Sequence, residues 1–159
     1  MKRFFLVLVM AVLCLSGYAQ VRQGQSSFGA RIGYGFDREN ATLGVDYRYS
    51  ITDEFRLGPS LTYYVKNNRL SAWTIDMDAH YVFPLSDMFG FYPLGGLALS
   101  FWSWDGGNFS VNETRLGANL GLGGELYATD QISVGLEVKY QILKDFSQPM
   151  FAVRVGYNF

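Results

Sequence analysis

Apolar and polar residues alternate along almost the whole of this chain. The alternation falls into eight segments, near 27–36, 42–51, 54–65, 71–84, 89–102, 113–128, 131–142 and 149–159. Side chains of a strand point alternately to its two faces, so each segment reads as a β-strand with two unlike sides. One parity is wholly uncharged: Phe28, Ile32 and Tyr34 in the first segment, Trp73, Ile75 and Met77 in the fourth, Leu136, Val138 and Tyr140 in the seventh. The other parity gathers Arg31, Asp46, Arg48, Arg56, Asp76, Asp78, His80, Arg115, Glu125, Glu137, Lys139 and Arg154, interleaved with glycines. Six basic residues stand there against five acidic ones, with the histidine besides.

The connections alternate as well. Thr52-Asp53, Ser86-Asp87 and Thr129-Asp130 are tight polar turns, whereas 37–41, 66–70, 103–112 and 143–148 are more polar and mostly longer. Short turns at one end and longer loops at the other are the pattern of a transmembrane β-barrel with periplasmic turns and external loops. The predicted fold is therefore all-β, an eight-stranded antiparallel up-and-down transmembrane barrel. Pro59 and Pro93 fall inside strands and cannot donate to a ladder, so each predicts a bulge or a local break.

Alternation alone does not say which face points outward. An eight-stranded barrel has an interior just wide enough for side chains to fill. The bulky apolar set cannot fit there, while glycines mixed with paired charges can. A lipid-facing Lys or Arg at mid-depth costs about 2–4 kcal/mol, which accounts for a charge-free outer face. Aromatic residues, 17% of the chain, fall at two depths. Phe55, Phe83, Phe89, Phe91 and Phe159 sit near the tight-turn rim, and Phe36, Tyr63, Trp73, Phe101 and Phe151 near the loop rim, as two girdles require.

The N-terminus sets the compartment. Lys2 and Arg3 precede an apolar run over 4–15, and Gly17-Tyr18-Ala19 supplies small residues before Gln20. Such a run is shorter than the roughly 20 residues of a spanning helix and reads as a cleaved export signal. Residues 1–19 are thus expected to be a signal peptide, 20–26 a short N-terminal segment and 27–159 the barrel. The sole cysteine, Cys14, leaves with the signal, so no disulfide or thiolate chemistry is expected of the remainder. Loss of Lys2 and Arg3 leaves 11 basic against 14 acidic residues, a balance that argues against nucleic acid as a partner.

The final seven residues, VRVGYNF, alternate hydrophobics and end with an aromatic two positions before a terminal Phe. Val153, Val155, Tyr157 and Phe159 thereby resemble the sorting signal of bacterial outer-membrane barrels. With the strand count and length, residues 27–159 resemble the small eight-stranded outer-membrane superfamily that includes the OmpA barrel domain and the OmpX/Ail group. The resemblance implies location in the outer membrane and insertion by the outer-membrane assembly machinery, with the last strand as the recognised element. It leaves activity open, because such barrels include adhesins, structural anchors and lipid enzymes.

The residues themselves suggest three functional classes. Asp76, Asp78 and His80 share one lumenal parity, as a catalytic base or metal site requires. In a lumen of paired charges they read better as partners of Arg48, Arg56 or Arg115. Lipid A deacylases and palmitoyltransferases are the enzymes that the superfamily resemblance brings in; the deacylases use a histidine and a serine near a lipid-facing rim, whereas His80 faces inward and Val82 stands where a same-face serine would be. No catalytic, metal or cofactor site is therefore expected. A narrow passive channel is the second class, opposed by opposite charges that should pair and fill the lumen. A structural or surface-interaction role is the first. It makes outer-membrane lipid, the assembly machinery and an extracellular ligand the expected partners of a monomer. Trp104, Asp105, Asn108 and Phe109 of the longest loop are the candidate contacts. The competing reading of that loop is a tight turn, with Trp102 and Trp104 seated among lipid headgroups.

Overall fold

The computed structural model describes residues 22–37, 39–67, 70–105, 110–144 and 147–159. The expected signal peptide, and with it Cys14, lies outside them. The strands are β1 (Ser26–Gly35), β2 (Asn40–Ser50), β3 (Phe55–Asn67), β4 (Leu70–Tyr81), β5 (Phe83–Ser86), β6 (Phe89–Asp105), β7 (Ser110–Tyr127), β8 (Ile132–Leu143) and β9 (Gln148–Asn158). Each pairs antiparallel with its neighbours. β1 closes on β9 and β4 on β6, giving a barrel of eight staves with β4 and β5 as two pieces of one stave. Partners traced from Arg31 reach Ser100 of β6 through β2, β3 and β4. The same level traced through β9, β8 and β7 reaches Gly90 of β6, ten residues away. This stagger is what closing a tilted sheet on itself requires.

The interruption between β4 and β5 falls at Val82, where the register sets Tyr81 opposite Pro93. Pro93 has no N–H to offer Tyr81 there, so that rung lacks its donor, while on the other side the Val82 N–H donates to the Glu54 carbonyl at 2.6 Å. Pro59 is milder than expected. From Phe55 to Tyr64 its strand keeps one register against both neighbours, and only the bridges of Tyr47 and Arg48 to β3 drop out. Register shifts occur between Tyr64 and Asn67, and between Pro84 and Ser86.

The three tight turns share one device. The Thr52 hydroxyl accepts from the Phe55 N–H at 2.9 Å, Ser86 from Phe89 at 3.1 Å and Thr129 from Ile132 at 2.9 Å. A hydroxyl at the first position thus satisfies the N–H three residues on.

The faces divide as their parity predicts. Phe28, Ile32, Leu43, Trp73, Met77, Leu97, Leu120 and Leu136 are exposed on the outside of the isolated chain, and the charged set, Arg115 excepted, turns inward. At the other end the structure departs from expectation. β6 and β7 continue to Asp105 and Ser110, through most of the stretch read as a ten-residue loop. Tyr63, Trp73 and Phe101 lie in one row across β3, β4 and β6. Beyond that row these strands and β7 go on, while β8 ends at Leu143 opposite Gly117. A four-stranded wall therefore overhangs the rest of the barrel.

Candidate functional site

The lumen is the site that the charge pattern pointed to. Arg154 of β9, 1% exposed, sits at its centre of gravity. Its guanidinium meets Asp46 at 2.8 Å and Glu125 at 3.0 Å and donates to the Ser27 hydroxyl at 2.7 Å. Arg56 holds the other Glu125 oxygen at 2.6 Å. Arg48 reaches Glu137 at 3.1 Å, Asp46 at 3.3 Å and Glu125 at 3.6 Å. Arg31 meets Glu137 at 3.2 Å and donates to Ser60 at 2.9 Å and Thr62 at 3.2 Å. Lys139 spans Asp76 and Asp78, each at 3.3 Å, and the Asn119 amide donates to both carboxylates at 2.9 Å.

These groups are supplied by β1–β4 and β7–β9, so the network ties nearly the whole circumference across the lumen. Burying unpaired charges would be prohibitive. Here five cations (Arg31, Arg48, Arg56, Lys139 and Arg154) face five carboxylates (Asp46, Asp76, Asp78, Glu125 and Glu137), all buried.

Three expectations need correction. Asp76 and Asp78 do not pair with Arg48, Arg56 or Arg115; Lys139 and Asn119 hold them, because those residues stand at the same level across the lumen. His80 packs edge-on against the Tyr92 ring at 5.1 Å. Arg115 lies above the network, with its side chain 17% exposed, bonded to Glu113 and to the Lys144 carbonyl at 2.7 Å. No β8 residue pairs with β7 at that height, so Arg115 folds over the strand edge instead of entering the lumen.

Sequence reasoning missed the apolar closures above and below the charges. Val82, Tyr92, Leu94 and Tyr127 form a buried cluster toward the tight-turn end. Tyr64, Ala72, Trp102, Leu143 and Met150 form another toward the loop end. Trp102 is only 3% exposed, within the lumen and not among headgroups. Tyr92 joins the lower cluster to the charges: its hydroxyl donates to Glu137 at 3.2 Å and accepts from Arg48 at 3.3 Å, and the Arg56 guanidinium lies 4.7 Å from its ring centre. Parity on the fifth stave could have found Tyr92, Leu94 and Trp102, since all three are even-numbered like the lumenal residues around them. Gly123 makes room for this arrangement, because a Cβ there would run into the Tyr92 ring. Beside Arg31, Glu137 and Lys139 the remaining void is about 10 Å³, no more than a single water needs.

Val153, Val155 and Tyr157 lie on β9, and the Phe159 backbone closes the seam by exchanging hydrogen bonds with Ser26 at 2.8 and 3.0 Å. Of the proposed loop contacts, Trp104 and Asp105 belong to β6, paired with Val111 and Ser110. Asn108 and Phe109 lie outside the described residues.

The family described as "Outer membrane protein beta-barrel domain" matches residues 5–159. No curated protein matches the chain. Among solved structures, the N-terminal β-barrel domain of Pseudomonas aeruginosa OprF is similar with a TM-score of 0.75 at 22% identity, over 86% of this chain and 98% of that one. Ail, the attachment invasion locus protein of Yersinia pestis, gives 0.61 at 15% identity over 86% and 99%. Neisserial surface protein A gives 0.63 at 16% identity over 84% and 93%. At these identities the likeness is one of fold.

Proposed function

This chain belongs to the outer membrane protein β-barrel family, and from that premise we propose that it is a non-conducting outer-membrane scaffold that meets its partner through the overhanging sheet. The observation that carries this reading is the edge of β7. Residues 110–114 pair with β6 on one side, and no described strand pairs with them on the other. An unpaired strand edge beyond the membrane offers a row of backbone donors and acceptors to an incoming extended segment. Side chains blunt this edge only in part: Arg115 reaches across the step to Lys144, and at the far side of the wall the Asn40 amide caps the Val65 carbonyl at 2.9 Å. A partner that adds a strand here needs no pocket, which fits loops with little room for one. The closed lumen supports a scaffold over a channel, and the absence of a serine beside His80 on its strand weighs against a lipid enzyme.

The test is adhesion of whole cells displaying the protein to a panel of extracellular matrix proteins and glycans. Exchanging residues 103–112 for a two-residue turn should abolish any binding while the heat-dependent gel shift of the folded barrel persists. Binding that survives the exchange overturns the reading.

A further inference from the structure

At the tight-turn end, opposite the overhanging sheet, the barrel mouth opens into a vestibule of about 490 Å³, within the size range of small-ligand sites. Its wall includes Asp53, Glu54, Val82, Asp87, Phe89 and Tyr127. At the mouth the charge is one-sided, since three carboxylates there face the single guanidinium of Arg22, and the buried Arg56 and Arg48 that act on Tyr127 from within the lumen are already matched by Glu125 and Glu137. Two of the carboxylates are fixed without being neutralised: Asp53 accepts from the Gln23 N–H at 2.8 Å, and Glu54 from the Tyr81 hydroxyl at 2.5 Å. The inner wall is formed by Val82 and the Tyr127 ring, while Phe89 turns its own ring outward over Gly124.

A second observation points to a ligand. Tyr127 is 6% exposed, and its hydroxyl finds no hydrogen-bond partner among the described residues. Buried phenols usually have one, and leaving the group unsatisfied is costly. Gly90 also lines the vestibule, and even a Cβ on it would lie 3.5 Å from that hydroxyl. The glycine therefore leaves the approach to the oxygen open. An anion would meet three carboxylates. A cation meets those carboxylates, the Tyr127 ring and a phenol oxygen with a lone pair to give.

We propose that this vestibule binds an organic cation, a primary ammonium or guanidinium on an apolar stem. The head lies among Asp53, Glu54, Asp87 and the Tyr127 oxygen, and the stem lies along Val82 and the Tyr127 ring. A free polyamine and a lysine or arginine side chain of a periplasmic protein share this chemistry.

The experiment is amide NMR of the refolded barrel in nanodiscs, titrated with putrescine, with its neutral isostere 1,4-butanediol and with a short lysine-containing peptide. Putrescine or the peptide should give saturable shifts centred on Gly90 and Tyr127, and butanediol none. The Glu54→Gln/Asp87→Asn double variant should bind at least tenfold more weakly, and Tyr127→Phe several-fold more weakly, with both variants keeping the heat-dependent gel shift. Tighter binding of the peptide identifies a protein side chain as the source, and tighter binding of putrescine a free polyamine. No saturable shift with either cation, equal shifts with butanediol, or undiminished affinity in the double variant overturns the proposal.

Discussion

Replacing Glu137 with alanine removes one carboxylate that serves three buried partners: Arg31 at 3.2 Å, Arg48 at 3.1 Å and the Tyr92 hydroxyl at 3.2 Å. The partners lose unequally. Arg48 keeps Asp46 at 3.3 Å and Glu125 at 3.6 Å, whereas Arg31 keeps only a distant Asp46 at 3.9 Å and two hydroxyls. Breaking a buried ion pair by removing one partner costs about 3–5 kcal/mol. With Arg48 still compensated, about 3 kcal/mol is the expected loss. Glu137→Gln retains the shape and part of the hydrogen bonding and should lose roughly half as much, in the range of an imperfectly met buried polar group, about 1–3 kcal/mol. Glu113 supplies an internal control. Its pair with Arg115 is on the rim, with the Glu113 side chain 47% exposed, so Glu113→Ala should cost less than about 1 kcal/mol. Reversible urea unfolding of the barrel in lipid vesicles, followed by tryptophan fluorescence, measures all three. A Glu137→Ala loss no larger than that of Glu113→Ala would refute the claim that the lumenal ion pairs hold the barrel together.

Other perturbations test other parts of the account. Gly123→Ala should destabilise the barrel by about 1–3 kcal/mol, the usual cost of overpacking, because Tyr92 is fully buried and has nowhere to move; the same urea titration reads it. Met77→Arg places a charge on the outer face, midway between the rows of Trp73 and Tyr81, at a side chain 50% exposed. It should cost about 2–4 kcal/mol in vesicles, and a neutral result would mean that this face does not meet lipid. Phe159→Ala should leave refolding in detergent intact, since the bonds to Ser26 are made by backbone, while lowering the amount reaching the outer membrane in cells by immunoblot of membrane fractions. Equal levels in cells would remove Phe159 from the assembly signal.

The barrel was legible in the sequence because a two-residue period has only two outcomes, and a charge-free face about 25 Å tall has few places to go. Arg31, Asp46, Arg48, Arg56, Glu125, Glu137 and Arg154 all follow from parity alone. What parity does not carry is height. Asp76 and Lys139 meet because of the stagger between distant staves, which depends on closure and not on any local pattern. Arg115 has the right parity and still escapes the lumen, because its neighbour β8 has already ended. The extension of β6 and β7 was hidden for a related reason: Ser103 and Asn112 pair as strand residues, yet polar strands in water and polar loops have the same composition. Trp102 read as an interfacial anchor by residue type, whereas its even number placed it with the lumen. The interruption at Val82 was foreshadowed by Pro93, but the proline sits on the partner strand.

The lumen is closed, charge against charge at mid-depth and by an apolar cluster at either end. Single-channel recording of the refolded barrel in a planar bilayer tests it most directly, after a heat-dependent gel shift has established folding. The account predicts a silent membrane. Discrete, reproducible conductance steps whose ion selectivity changes in Glu137→Gln would contradict it and make the charged lumen a conduction path.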